Sequence, residues 1–103
     1  MNCSRNDVVL LPIPFTDLTS RKVRPAVVIG QNGADLFLVP ISSQLPNTDL
    51  SLQDWRAAGL NVACGIKAQF ATVEDRLVVK KVGVLSALDQ QRLNARLRAW
   101  LQL

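Results

Sequence analysis

The alternation of apolar and polar positions predicts a series of short β-strands followed by one helix. Runs of aliphatic and β-branched residues, separated by proline, glycine and asparagine, are typical of strands. The pattern predicts strands over residues 7–11, 25–30, 35–41, 49–52, 65–73 and 77–85. Asn32-Gly33 is a strong hairpin signal, so the second and third strands are predicted to pair antiparallel.

Two segments interrupt the predicted strands. Residues 12–23 form a turn-rich connection that includes Pro14, and connections of this length in compact domains are often functional. Residues 54–59 predict one helical turn that ends at Gly59.

The apolar period changes to three or four residues after position 85. Ser86 is a favourable N-cap, and Asp89 three residues later comes close to a capping box. The apolar positions of this predicted helix are Leu88, Leu93, Leu97, Trp100 and Leu101. Its arginines at 92, 96 and 98 predict a solvated face. The predicted fold is therefore mainly β (α+β), a small curled barrel or sandwich of antiparallel strands plugged by a C-terminal amphipathic helix.

Length and composition predict one folded domain over residues 1–103. A hydrophobic content of 49% with 19% charged residues excludes intrinsic disorder. The apolar surplus suits a dimer interface. The net charge of +4 suits a polyanionic partner as well as ordinary solubility. The N-terminus is polar and shows no signal peptide, so we expect a cytoplasmic protein that does not enter a membrane.

Metal and cofactor sites are not predicted. The two cysteines lack CxxC spacing, so Cys3 is expected in a frayed terminus and Cys64 as a small buried thiol. The chain has no histidine, which excludes a two-histidine ribonuclease mechanism and removes the commonest metal ligand. The carboxylates show no two-metal spacing, and no phosphate-cradling glycine loop is present.

Six sequence elements together resemble the MazF/PemK family of toxins. Members usually open with Gly-Asp-Val-Val, where this chain has Asn6 in place of the glycine. The elements are Asn6-Asp7-Val8-Val9-Leu10, Pro12-Ile13-Pro14-Phe15-Thr16-Asp17-Leu18, Arg24-Pro25-Ala26-Val27-Val28, Val39-Pro40-Ile41-Ser42-Ser43-Gln44, Asp54-Trp55 with Ala58-Gly59-Leu60, and Val82-Gly83-Val84-Leu85-Ser86.

The resemblance implies an SH3-like barrel with a C-terminal helix. It also implies a metal-independent endoribonuclease acting on single-stranded RNA, a homodimer, and inhibition by a cognate MazE-like antitoxin. Two positions depart from the family. Ala71 stands where many relatives carry arginine, and Ser42 stands where the family has threonine but keeps the hydroxyl.

RNA carries its own nucleophile, the 2′-hydroxyl, so an enzyme must align that oxygen and stabilise charge on the phosphorane-like transition state. The resemblance makes Arg24 the first catalytic candidate and Ser42 the second. For Arg24 the alternative is an ordinary surface arginine, and for Ser42 a turn serine bonded to nearby backbone. A guanidinium is a poor general base, so the base is left unassigned.

Further site residues are predicted around this pair. The candidates for binding RNA are Arg21, Lys22, Lys67 and Gln69, and the supporting candidates are Asp17 and Thr72. The basic side chains would attract the RNA backbone, and Gln69 would contact a base edge. For Asp17, a plain Asx-turn is an equal alternative to orienting Arg24. Phe15 and Phe70 could stack on a base, with core packing as the alternative use of both.

Two other functions remain open from the sequence. CcdB-like proteins share this architecture but poison DNA gyrase through protein contact, and the Arg24-Pro25 pair argues against that function. Ala71 leaves open a degenerate family member that binds RNA or antitoxin without cutting.

Overall fold

The computed structural model describes residues 2–12 and 22–103. Within these residues, seven strands and one α-helix follow one another along the chain. They are β1 (Asp7–Pro12), β2 (Val23–Asn32), β3 (Asp35–Ser42), β4 (Leu50–Ser51), β5 (Gly65–Ile66), β6 (Ala71–Glu74), β7 (Lys80–Val84) and α1 (Ala87–Leu101). All pairings between these strands are antiparallel, which confirms the predicted mainly β fold with a C-terminal helix.

Strand β3 is the most connected strand of the sheet. The strand order is β4-β5-β3-β2-β1-β7, and β6 also pairs with β3. β2 and β3 form the predicted hairpin, and its turn includes Gly33 at a φ of 60°. That left-handed backbone suits glycine, which carries no Cβ to oppose it.

The sheet is buried on both faces, because its apolar residues alternate between two cores. Val8, Val27 and Val39 pack with Leu93 and Leu97 of α1, and we call this cluster the helix-side core. The opposite core takes the intervening positions, including Val9, Ala26, Val28 and Leu38. Strands such as β1, in which adjacent residues are both fully buried, appear in sequence as continuous apolar runs.

Helix α1 begins as predicted but buries a narrower face. The Ser86 side chain caps it by accepting a hydrogen bond from the Asp89 backbone N–H. Leu93 and Leu97 are buried, whereas Leu88 and Leu101 are each about half exposed. Leu93 and Leu97 therefore form the buried face of this amphipathic helix, and the predicted apolar positions at its two ends are only partly covered.

Arg96 and Arg98 of α1 are exposed, as predicted, whereas Arg92 is half-buried. Arg92 and Arg96 also bond to the main chain of a neighbouring strand. Arg92 Nη1 donates to Ser51 O, and Arg96 Nη1 donates to Asp49 O, each at 2.6 Å. Both carbonyls belong to β4 and the residue before it. The short edge strand β4 is therefore tied to α1 by side chains as well as to β5 by its own two-residue ladder.

Three further sequence predictions need correction. Residues 65–73 form two short strands, β5 and β6, instead of one. Residues 77–85 contribute only β7, because a 3-10 turn occupies Asp75–Leu77. Cys3 is buried in the opposite core rather than frayed. Cys64 is a buried thiol as predicted, and burial raises its pKa.

Two backbone features explain family motif positions. Asn6 has a φ of 77°, the left-handed conformation that glycine adopts most readily and asparagine tolerates. Gly59 has a φ of 85°, and a Cβ there would collide with Val82 O. A Cβ on Gly83 would collide in turn with Ala58 O. The 54–59 turn and β7 therefore touch backbone to backbone.

In the part of the chain that the structure describes, no helix combines the length and the hydropathy that crossing a membrane requires.

Candidate active site

Arg24 lies on β2, exposed and opposite Leu11 of β1. Pro25 follows it within the same strand and pairs with Leu10. Proline restricts the residue before it to extended backbone, so the direction in which the Arg24 side chain leaves the sheet is set locally.

Strand β3 ends at Ser42, two residues after its pairing with β2 stops. The β2–β3 ladder extends to the pair Ala26 and Pro40. Beyond it, β2 stays with β1, while Ile41 and Ser42 pair with β5. Arg24 and Ser42 each lie two residues beyond this last pair, on neighbouring strands that no longer pair with each other there. Strand alternation puts both on the face of the opposite core. The two catalytic candidates therefore lie on the same face, just past the end of the β2–β3 ladder.

The Ser42 hydroxyl already has one local contact. Its Oγ accepts a hydrogen bond from the Gln44 backbone N–H at 3.1 Å. This is the turn-serine geometry considered as the alternative. The bond uses a lone pair of the oxygen, so the hydroxyl hydrogen stays available for donation to a ligand.

The other edge of β3 carries a bulge beside the same strand end. Ile41 pairs with Ile66 in β5, and Leu38 pairs with Ala71 in β6. Residues 67–70 therefore oppose only positions 39 and 40, which leaves two residues in excess. We call residues 67–70 the β5–β6 bulge. Bulges commonly re-aim side chains next to functional sites.

Two backbone N–H groups hold the first half of the bulge, one through a main-chain carbonyl and one through a carboxylate. Lys67 N donates to Pro40 O at 3.0 Å, and Ala68 N donates to the Asp49 carboxylate at 2.7 Å. Lys67 is half-buried. Asp49 is a positioning residue that the sequence did not reveal, because 19 residues separate it from Ala68 and only the fold brings them together.

The second half of the bulge presents a carboxamide and an aromatic ring. Gln69 Oε1 is shielded from solvent and has no hydrogen-bond partner among the described residues. Phe70 is 46% exposed and meets Trp100 of α1 edge-to-face, with 6.4 Å between ring centroids. Phe70 is therefore not a core residue. Trp100 is partly buried against the helix-side core.

The structure gathers some of the predicted residues and not others. Arg24, Ser42, Lys67 and Gln69 lie around the end of β3, with Lys22 exposed just before β2. Thr72 pairs with Phe37, five residues from Ser42 along β3 or roughly 17 Å. Alternation also turns it to the other sheet face, away from this group. Asp17, Arg21 and Phe15 lie outside the described residues.

The clustered groups suit the binding of an anionic chain. Guanidinium and ammonium groups bind phosphate oxygens, a hydroxyl donates to them, and a carboxamide pairs with a base edge. Among residues 2–12 and 22–103, no three His, Cys, Asp or Glu side chains converge in a group that could hold a metal ion.

Comparisons with known proteins place the chain in a family. It is similar in structure to an endoribonuclease in complex with its cognate antitoxin from a mycobacterial species. The TM-score is 0.74 at 15% identity, covering 100% of this chain and 97% of that one. This likeness shows a shared fold.

A comparison with curated proteins finds no match. The family model for the PemK-like, MazF-like toxin of type II toxin–antitoxin systems matches residues 4–101. The chain therefore belongs to the PemK/MazF family of type II toxins.

Proposed function

We propose that this toxin is a metal-independent, sequence-specific endoribonuclease that cleaves single-stranded RNA. The RNA 2′-hydroxyl attacks the adjacent phosphorus, and the bond to the 5′-oxygen of the next nucleotide breaks. The products are a 2′,3′-cyclic phosphate and a 5′-hydroxyl. The observation that carries the proposal is that Arg24 and Ser42 lie on neighbouring strands, each two residues beyond the last β2–β3 pair of Ala26 and Pro40.

In this mechanism, Arg24 stabilises the negative charge that develops on the phosphoryl oxygens. Its planar fork donates two parallel hydrogen bonds to phosphate oxygens. The Ser42 hydroxyl donates to the phosphate or to the 2′-oxygen while its own oxygen remains fixed by Gln44 N. Lys22, Arg21 and Lys67 attract the RNA backbone. Asp17 orients the loop or Arg24 through an ion pair, and Thr72 is assigned no step because it lies apart from the Arg24–Ser42 pair.

The test is cleavage of a long RNA in the presence of a chelator, with chemical mapping of both new ends. A cyclic phosphate and a 5′-hydroxyl support the mechanism, and a requirement for divalent metal refutes it. Arg24→Ala should lower the cleavage rate about 10²- to 10³-fold, the usual effect of losing one transition-state donor. Its melting temperature should stay unchanged, since the side chain is exposed.

Arg76→Ala is a matched control, because Arg76 is an exposed arginine paired with Glu74 and lies outside the group around the end of β3. Ser42→Ala should also slow cleavage. Full activity of Arg24→Ala would remove the role assigned to the guanidinium.

The proposed partners are a cognate antitoxin and a second copy of the chain, with the protein acting in the cytoplasm. The structural neighbour is itself named as a complex with its cognate antitoxin. The described surface also carries many exposed apolar side chains, among them Val79, Leu88, Leu101 and Leu103, which suits a homodimer. Light scattering measures the dimer, and titration with the antitoxin should abolish RNA cleavage.

A non-cutting family member is the second candidate function, and Ala71 favours it. The residue sits half-buried against the opposite core, opposite Leu38, where many relatives carry an arginine. RNA binding without cleavage across many sequences would support this candidate. Inhibition of DNA gyrase by the purified protein, without any RNA cleavage, would instead point to CcdB-like activity.

A further inference from the structure

The Gln69 carboxamide oxygen is the one buried side-chain polar atom without a partner among the described residues. A carbonyl oxygen removed from water and left unpaired destabilises the free protein, because the hydrogen bonds it made to water are not replaced. Buried polar atoms in native proteins are nearly always paired, so an exception needs an explanation. The absent donor is consistent with a ligand that supplies it.

The position of Gln69 fits a ligand that also reaches the proposed catalytic pair. Gln69 lies in the β5–β6 bulge, two residues after Lys67, whose N–H donates to Pro40 O, and two residues before Ala71, which pairs with Leu38. The bulge therefore borders the last part of β3, which ends at Ser42 of the proposed catalytic pair. A base next to the scissile phosphate would lie against this bulge.

The backbone on both sides of Gln69 is fixed before any ligand arrives. Ala68 N is held by the Asp49 carboxylate, and the Phe70 ring is held by Trp100. Gln69 itself is half-buried, so part of its side chain reaches the surface. Rotation about the terminal torsion, which has a broad and roughly two-fold profile, can bring the oxygen outward while the backbone stays in place.

We propose that Gln69 is a specificity-determining residue that recognises an adenine at one position of the RNA cleavage site. The carboxamide oxygen accepts a hydrogen bond from the adenine N6 amino group, and the carboxamide nitrogen donates to N7. This two-bond pairing is the usual way in which glutamine and asparagine recognise adenine. An unpaired nucleotide exposes that edge freely. The inference depends on the proposed function, because it needs RNA as the substrate.

The experiment sequences the new ends that the intact protein produces from a random RNA library. The wild-type protein should prefer adenine at one position about 10- to 100-fold over other bases, the range that one two-bond pair supports. Gln69→Met retains the length of the side chain but lacks the carboxamide. We expect this variant to lose the preference at that position only, so that the ratio of cutting at sites with and without the adenine falls to about one while the preferences at other positions remain.

Two further measurements separate recognition from a structural role. An RNA with purine riboside in place of the adenine lacks the N6 amino group. The wild-type protein should cut this RNA more slowly than the adenine RNA, whereas Gln69→Met should cut both at the same rate. The melting temperature of Gln69→Met should equal or exceed that of the wild type, because the variant removes an unpaired buried oxygen. Gln31→Ala, on a glutamine bonded to Gly33 O at the far end of β2, is the control and should retain the full preference.

Different results would overturn this inference and the proposed function. A wild-type protein that cuts RNA with a base preference unaffected by Gln69→Met overturns the inference alone. So does a Gln69→Met variant that melts well below the wild type and slows at all sites equally. A wild-type protein that cuts no RNA overturns the proposed function, and the inference with it.

Discussion

Asp89 gives the sharpest test of how this fold is held together. Its side chain is fully buried near the start of α1. The carboxylate accepts hydrogen bonds from Gln53 N at 3.0 Å, Asp54 N at 2.8 Å and Arg92 Nη1 at 2.9 Å. It therefore fixes the beginning of the 54–59 turn to the helix, while the Asp89 N–H is capped by Ser86.

Replacing Asp89 with alanine removes the acceptor from two backbone N–H groups and one guanidinium. Hydrogen bonds to a charged group each stabilise by about 1.5–3 kcal/mol. The turn is partly exposed and Arg92 keeps its bond to Ser51 O, so water recovers part of this loss. We expect Asp89→Ala to lower the free energy of unfolding by about 3–4 kcal/mol. At this chain length that lowers the melting temperature by at least about 12 °C.

The assay is urea unfolding, together with amide hydrogen exchange at Gln53 and Asp54. Both amides should exchange much faster in Asp89→Ala than in the wild type. Asp54→Ala, an exposed carboxylate in the same turn, should change the free energy of unfolding by less than about 0.5 kcal/mol. If Asp89→Ala stays within about 1 kcal/mol of the wild type, the carboxylate does not bear the role assigned to it.

Three further outcomes are expected from single residues. Gly59→Ala should lower the free energy of unfolding in urea by about 2 kcal/mol or more. Alanine is strained at this φ, and its Cβ would collide with Val82 O. An unchanged free energy of unfolding would refute the backbone contact. Asn6→Ala should lower the free energy of unfolding by about 1 kcal/mol, because the backbone has a positive φ at this position. Asn6→Gly should leave the free energy of unfolding nearly unchanged. Equal losses in both variants would show that the asparagine side chain, and not the backbone, is responsible. Cys64 should react slowly with iodoacetamide at pH 7.5, since burial raises its pKa. Because the unfolded thiol ionises first, stability should fall as the pH rises above about 8.5, a slope that Cys64→Ala should reduce.

The strands and the helix could be predicted where the pattern is local. Ser86 marks the helix start, and the alternation in β2 and β3 marks the hairpin. The break between β5 and β6 could not be predicted. Residues 66–70 retain a period of two, but the Asp49 carboxylate captures Ala68 N. The pattern of neighbouring residues cannot reveal a contact between residues so far apart in sequence.

Side-chain roles were harder to predict than elements. Asp89 stands at a capping-box position, yet its carboxylate bonds to another segment. Arg92 and Arg96 look like solvent-facing charges, but each donates to a main-chain carbonyl of the β4 region. A polar residue type shows the capacity to form a hydrogen bond, and the partner depends on the tertiary fold.

The candidate site could be predicted only in part. The family resemblance named Arg24 and Ser42, and the strand pairing showed that both lie just past the last β2–β3 pair. No pattern in the sequence could show that β3 changes partners after Pro40. For the same reason, the distance of Thr72 from the pair became visible only with the strand pairing.

The surplus pair of residues opposite Val39 and Pro40 has an evolutionary consequence. Chain can be added or removed there without shifting the ladders on either side, since β5 and β6 are separately registered on β3. Homologues should accordingly differ in loop length at this place more freely than anywhere else along β3. Natural variation could then diversify the targets of such toxins while the scaffold beneath is inherited intact.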